Sequence, residues 1–136
     1  MQDLSYKEFQ QKLIPTVAPK RVLGVRIPQI RRYAKQLKKE GLAEEFLCAL
    51  PHRYYDEDNL HGALLEGIRN FDKALMETER FLPYLDNWAT CDSFCPKVLK
   101  ILALIAVLFH SPITVMIPQH LCVCIWQDSS VLSLTM

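Results

Sequence analysis

The residues best suited to chemistry stand together at Asp86-Asn87-Trp88-Ala89-Thr90-Cys91-Asp92-Ser93-Phe94. If Trp88 to Asp92 opens a helix, the indole and the carboxylate are neighbours one turn apart on one face. A ring face and an anion both favour positive charge, so such a pair suits a cationic ligand. A plainer reading also fits, with Trp88 as a core anchor and Asp92 as a first-turn carboxylate favoured by the helix dipole.

A second signal is charge. Residues 20–39 hold Lys20, Arg21, Arg26, Arg31, Arg32, Lys35, Lys38 and Lys39, and no acid. On a helix opened by Pro28, the basic side chains lie opposite an Ile30–Ala34–Leu37 stripe. A concentrated basic face attracts phosphates and makes binding depend on salt. The other reading is an ordinary solvated face, partly neutralised by Glu40, Glu44 and Glu45.

Other chemistries find little support. His52 and His61 stand at no ligand spacing from a cysteine. Cys91 and Cys95 share a helix face but lack the other two ligands of a structural zinc site, so no metal is expected. There is no Gly-rich phosphate loop and no nucleophile elbow, and no cofactor is expected. Tyr54, Tyr55 and Phe46 read as packing residues. The five cysteines are odd in number and form no CxxC pair. With no secretory pattern at the N-terminus, they are expected to be reduced thiols of a cytoplasmic protein. The net charge of +1 averages over the whole chain and says nothing of partners.

The elements that must position these residues are helical. The 136 residues are half apolar and 23% charged with only four glycines, a composition that folds around a core. Ser5 and Glu8 suit a capping box for a first helix. Pro15 and Pro19 hold an extended connector. A second helix follows from Pro28 and stops at Gly41, where a C-terminal glycine belongs. A third is expected from Glu44 to Leu50, ended by Pro51. The acids Asp56, Glu57 and Asp58 open a fourth, whose stripe is Leu60, Ala63, Leu64, Gly67, Ile68 and Phe71. Asp72 is placed as the cap of a fifth helix, which Pro83 bends or ends. A sixth begins between Asn87 and Thr90. Such a series forms either a compact bundle or a curved solenoid of helical pairs, and spacing alone does not choose.

The character changes after Lys100. Residues 101–136 hold one charged side chain, Asp128, against thirty in the first hundred, and Ile101 to Phe109 is wholly apolar. A membrane span needs a longer run than the nine residues before His110 and Pro112. A core element stays open. The favoured expectation is a segment not selected with the rest, such as a frameshifted or aberrant terminus, because a soluble helix alternates apolar and charged faces. The chain therefore divides into a helical domain at 1–100 and an atypical apolar tail at 101–136.

Three segments resemble the DNA alkylation repair family, the alkylpurine DNA glycosylases built from HEAT-like repeats. They are Gly24-Val25-Arg26-Ile27-Pro28-Gln29-Ile30-Arg31, then Leu50 to Glu57 with Asn59-Leu60-His61, then Phe81 to Trp88 with Asp92-Ser93-Phe94-Cys95-Pro96-Lys97. They follow in the family's order over residues 5–100. The resemblance implies an all-α fold of HEAT-like antiparallel helical repeats stacked into a superhelix, here cut short. It implies a hydrolase that cleaves the N-glycosidic bond of cationic N3- or N7-alkylated purines in duplex DNA. The family's tryptophan and aspartate fall on Trp88 and Asp92. Trp88 would pack against the lesion's deoxyribose, and Asp92 would stabilise the charge developing on the sugar and position the attacking water. Arg26, Arg31, Arg32, Lys35, Lys38 and Lys39 become candidate DNA contacts. The family's later arginine has no counterpart, since no arginine follows Lys100, and Trp126 lies in a stretch unlike the family. The alternative is an inactive helical-repeat module that binds nucleic acid or protein through the same surface.

Overall fold

A computed structural model describes residues 2–93 of the chain. The tail from 101, with Trp126, His110 and His120, lies outside the described residues, as do Cys95, Cys122 and Cys124. Among the described residues the fold is all-α. Helices α1 (Leu4–Leu13), α2 (Ile27–Glu40), α3 (Ala43–Cys48), α4 (Tyr55–Leu65), α5 (Phe71–Phe81) and α6 (Trp88–Ser93) follow one another, with short 3₁₀ turns at Pro19–Arg21 and Leu82–Tyr84.

The core is built on α2 and α4. The expected stripe Ile30, Ala34 and Leu37 is buried against Leu60, Leu64 and Leu65 of α4, with Leu47 from α3 and Phe81 from α5 closing the cluster. A second cluster joins Ile14, Val17, Val22 and Tyr55, and Ala89 of α6 packs on it. α6 is therefore docked on the region where α1 ends and α4 begins. No described helix is long and apolar enough to cross a membrane.

Several helix ends differ from expectation. The cap of α1 is Asp3, whose carboxylate accepts from Tyr6 N at 3.1 Å and from the Ser5 hydroxyl at 2.7 Å. Ser5 lies inside the helix, because the carboxylate two residues earlier is a stronger acceptor for the first-turn N–H. The cap of α5 is Asn70, which accepts from Lys73 N at 2.8 Å, and Asp72 is a first-turn acid. Phe71 consequently opens α5, half-exposed, and does not extend the α4 stripe. α3 ends at Cys48, before the expected Leu50. Gly41 ends α2 as expected, with φ at +74° in the left-handed region.

Candidate functional site

α6 begins at Trp88, and its start is held from both sides. The Asn87 carboxamide accepts from Thr90 N at 2.8 Å, which caps the helix. Thr90 is buried, and its hydroxyl donates to Asn59 Oδ1 of α4 at 3.0 Å. Positions 88 and 92 fall one turn apart in this helix. The Asp92 and Cys91 side chains lie outside the described residues.

Trp88 is no buried core anchor. The residue is 55% exposed, yet its indole N–H donates to the Leu13 carbonyl at the end of α1, at 3.1 Å. A large aromatic ring is thus tied at one edge while about half of the residue is exposed, which leaves ring surface for a ligand.

The basic residues divide into two groups. Arg31, Arg32, Lys35, Lys38 and Lys39 are exposed along α2, opposite its buried stripe. Arg32, Lys35 and Lys39 make no ion pair among the described residues. Arg31 approaches Glu66 at 3.5 Å. The Lys38 amine reaches the α4–α5 turn beside Gly67, where it borders a depression that also takes in Arg69 and Lys73. Partial burial there pushes the Lys38 ammonium below its ordinary range, and Glu66 pulls it back. Arg26, just before α2, is tied to α1. It donates to the Asp3 carboxylate at 2.6 and 3.0 Å and lies 5.1 Å over the Tyr6 ring. That pairing, with the Ser5 hydroxyl, holds the Asp3 carboxyl far below the usual carboxylate range. The acids that meet the basic face are therefore Asp3 and Glu66. Glu40 accepts instead from Gln36, and Glu44 pairs with Lys73.

No hydrogen bond or ion pair joins the α2 cations to Trp88 among the described residues. The cation that reaches the tryptophan segment is Arg21. It donates to the Arg53 carbonyl at 3.2 Å, to Asp58 at 3.3 Å and to Asp86, whose other oxygen accepts from Asn87 Nδ2 at 3.1 Å. Asp58 is buried, and that burial pushes its carboxyl up to about 7 against the pull of Arg21. Asp56, also buried, accepts from Leu23 N and Val25 N, both at 2.7 Å, and so staples the connector before α2 to the first turn of α4. In the sequence these acids read as helix-dipole partners. Their pairing with a connector more than thirty residues earlier carries no local signal.

The two histidines also meet. His52 Nε2 lies 2.8 Å from His61 Nδ1, and the fully buried His61 ring stacks on Phe81 with centroids 4.0 Å apart. His52 in turn stacks on Phe46. Burial pushes His61 down to about 3, helped by His52 and Arg80. Such a pair is a packing unit, and no group of three His, Cys, Asp or Glu among the described residues has the geometry to hold a metal ion.

Comparison with known families finds that a model described as DNA alkylation repair enzyme matches residues 3–106. The match continues past Lys100, into the first residues of the apolar run. Neither the curated proteins nor the solved structures contain a match.

Proposed function

Since the chain belongs to the DNA alkylation repair enzyme family, and so to DNA repair, we propose that it hydrolyses the N-glycosidic bond of cationic N3- or N7-alkylated purines in duplex DNA. The observation that carries this reading is the half-exposed indole of Trp88, pinned through its N–H at the first position of the helix that also bears Asp92. A free ring face held in place is what a deoxyribose or a cationic base can pack against.

The chemistry asks little of the protein beyond that. An alkylated purine already carries positive charge, so it leaves without a strong general acid. Charge then develops on the sugar, and the Asp92 carboxylate stabilises it and orients the water that attacks the anomeric carbon. The exposed cations of α2 hold the phosphate backbone, and the helices extend as a HEAT-like stack beside the duplex.

The test is release of free methylated purine from alkylated duplex DNA by the purified chain, with Asp92→Asn in parallel. Release that falls by about a hundredfold or more in the variant supports the assignment. Absent release from folded wild-type protein, with salt-sensitive DNA binding retained, would move the reading to an inactive helical-repeat binding module.

A further inference from the structure

We infer that Arg21 is a positioning residue for this site, setting where α6 presents Trp88. Its functional consequence rests on the reading above; its geometry does not. Of the eight cations in residues 20–39, Arg21 is the one whose guanidinium joins elements distant in the chain around the tryptophan segment. Its three nitrogens go to three separate acceptors. Nε reaches the Arg53 carbonyl ahead of α4, Nη2 reaches Asp58 inside α4, and Nη1 reaches Asp86, two residues before Trp88.

The backbone that carries Arg21 is itself fixed. Val22 is fully buried, and Asp56 holds Leu23 N and Val25 N. Beyond Asp86 the chain of contacts runs through Asn87 to the capped N–H of Thr90, and through the Thr90 hydroxyl back to Asn59 on α4. The segment Asp86–Thr90 is thus gripped at Asp86 by Arg21 and at Thr90 by α4, with Trp88 between them. Removing the first grip leaves the segment held through Thr90 alone, with the bond from the indole N–H to the Leu13 carbonyl as the remaining tie on the ring. Lysine does not replace it, because a single ammonium cannot span acceptors that a planar fork reaches in different directions. Neutralising Arg21 alone would also leave the buried Asp58 carboxylate without its cation, which destabilises by itself.

The experiment uses the full chain with Trp126→Phe, so that Trp88 is the sole indole. Three forms are compared: wild type at position 21, Arg21→Lys, and Arg21→Gln combined with Asp58→Asn to avoid an orphaned buried charge. In each, the indole N–H resonance of Trp88 and its hydrogen-exchange rate are read by NMR, with thermal unfolding as the check on folding. The rate constant of single-turnover release of methylated purine and the Kd for duplex DNA are measured at one salt concentration.

The expected result is a folded protein whose indole resonance shifts and exchanges faster. Its release rate constant falls about tenfold or more, while Kd changes little, because misplacement of a reacting group costs rate and not phosphate contacts. An unchanged indole signal in a folded variant overturns the inference, as does a loss of activity that merely tracks the unfolded fraction. If wild-type protein releases no base, the glycosylase reading fails on its own, and the indole signal still decides whether Arg21 positions Trp88.

Discussion

At the scale of single residues, the buried titratable groups decide how the protein responds to pH. His61 holds its neutral form because protonation in a sealed aromatic stack has no solvent to support it. Its folded value, about 3, lies below the 6.5 of the free side chain. The stability this supplies is complete above pH 6.5 and drains away as pH falls toward about 3, since only the unfolded chain takes up the proton in that window. Asp58 acts with the opposite sign. Its folded value of about 7 exceeds the ordinary 3.8, so its contribution is full below 3.8 and lost as pH rises through about 7. The two windows overlap, and urea midpoints of variants separate them. The difference between wild type and His61→Phe should grow with rising pH between 4 and 6, and that between wild type and Asp58→Asn should shrink. Asp56 predicts a larger static effect. Asp56→Ala removes the acceptor of two 2.7 Å backbone bonds and should cost about 2–4 kcal/mol in chemical denaturation.

At the scale of elements, two glycines with positive φ make contrasting predictions. Gly41, at +74°, has open space around it, so Gly41→Ala meets only the left-handed conformational penalty of about 1 kcal/mol. Gly24, at +84°, has Lys7 Cβ and Asp3 O at 2.7 and 2.8 Å from where a Cβ would sit. Gly24→Ala must therefore push α1 away from the connector, and should lower the melting temperature clearly more than Gly41→Ala. The cause of Gly24 is thus the close approach of α1, while that of Gly41 is the end of α2. Only the second is visible in a stretch of sequence, because a helix terminus is a local event. The caps show the same limit: acids and small polar residues crowd the starts of α1 and α5, and which of them caps depends on the angle at which the chain enters the helix.

For the whole molecule, the exposed cations of α2 predict a salt-dependent grip on DNA. Replacing Arg32 and Lys35 together by glutamine removes two cations that have no ion pair among the described residues. Binding should weaken alike on all duplex sequences, and the slope of log K against log salt should fall by about two. A slope unchanged by the double variant would take these residues out of the interface. Arg26 should matter less to that slope, because Asp3 already pairs with it.

What the sequence by itself determined was whatever depends on neighbours within a turn or two. The α2 stripe and its basic opposite face follow from spacing of three and four residues, its end from a glycine at the helix terminus, and the order of motifs pointed to the family. The tertiary structure alone decided which charges meet. Arg21 and Asp86 are 65 residues apart, and Asp56 lies 31 and 33 residues from the backbone groups it holds. Such pairs form only once α4 packs between α2 and α6, and the desolvation that accompanies packing then sets the state of Asp58 and His61. Arg21 therefore reads as one more cation of a basic run until the fold turns it toward Asp58, whose burial asks for a cation beside it, and toward Asp86 next to the tryptophan segment.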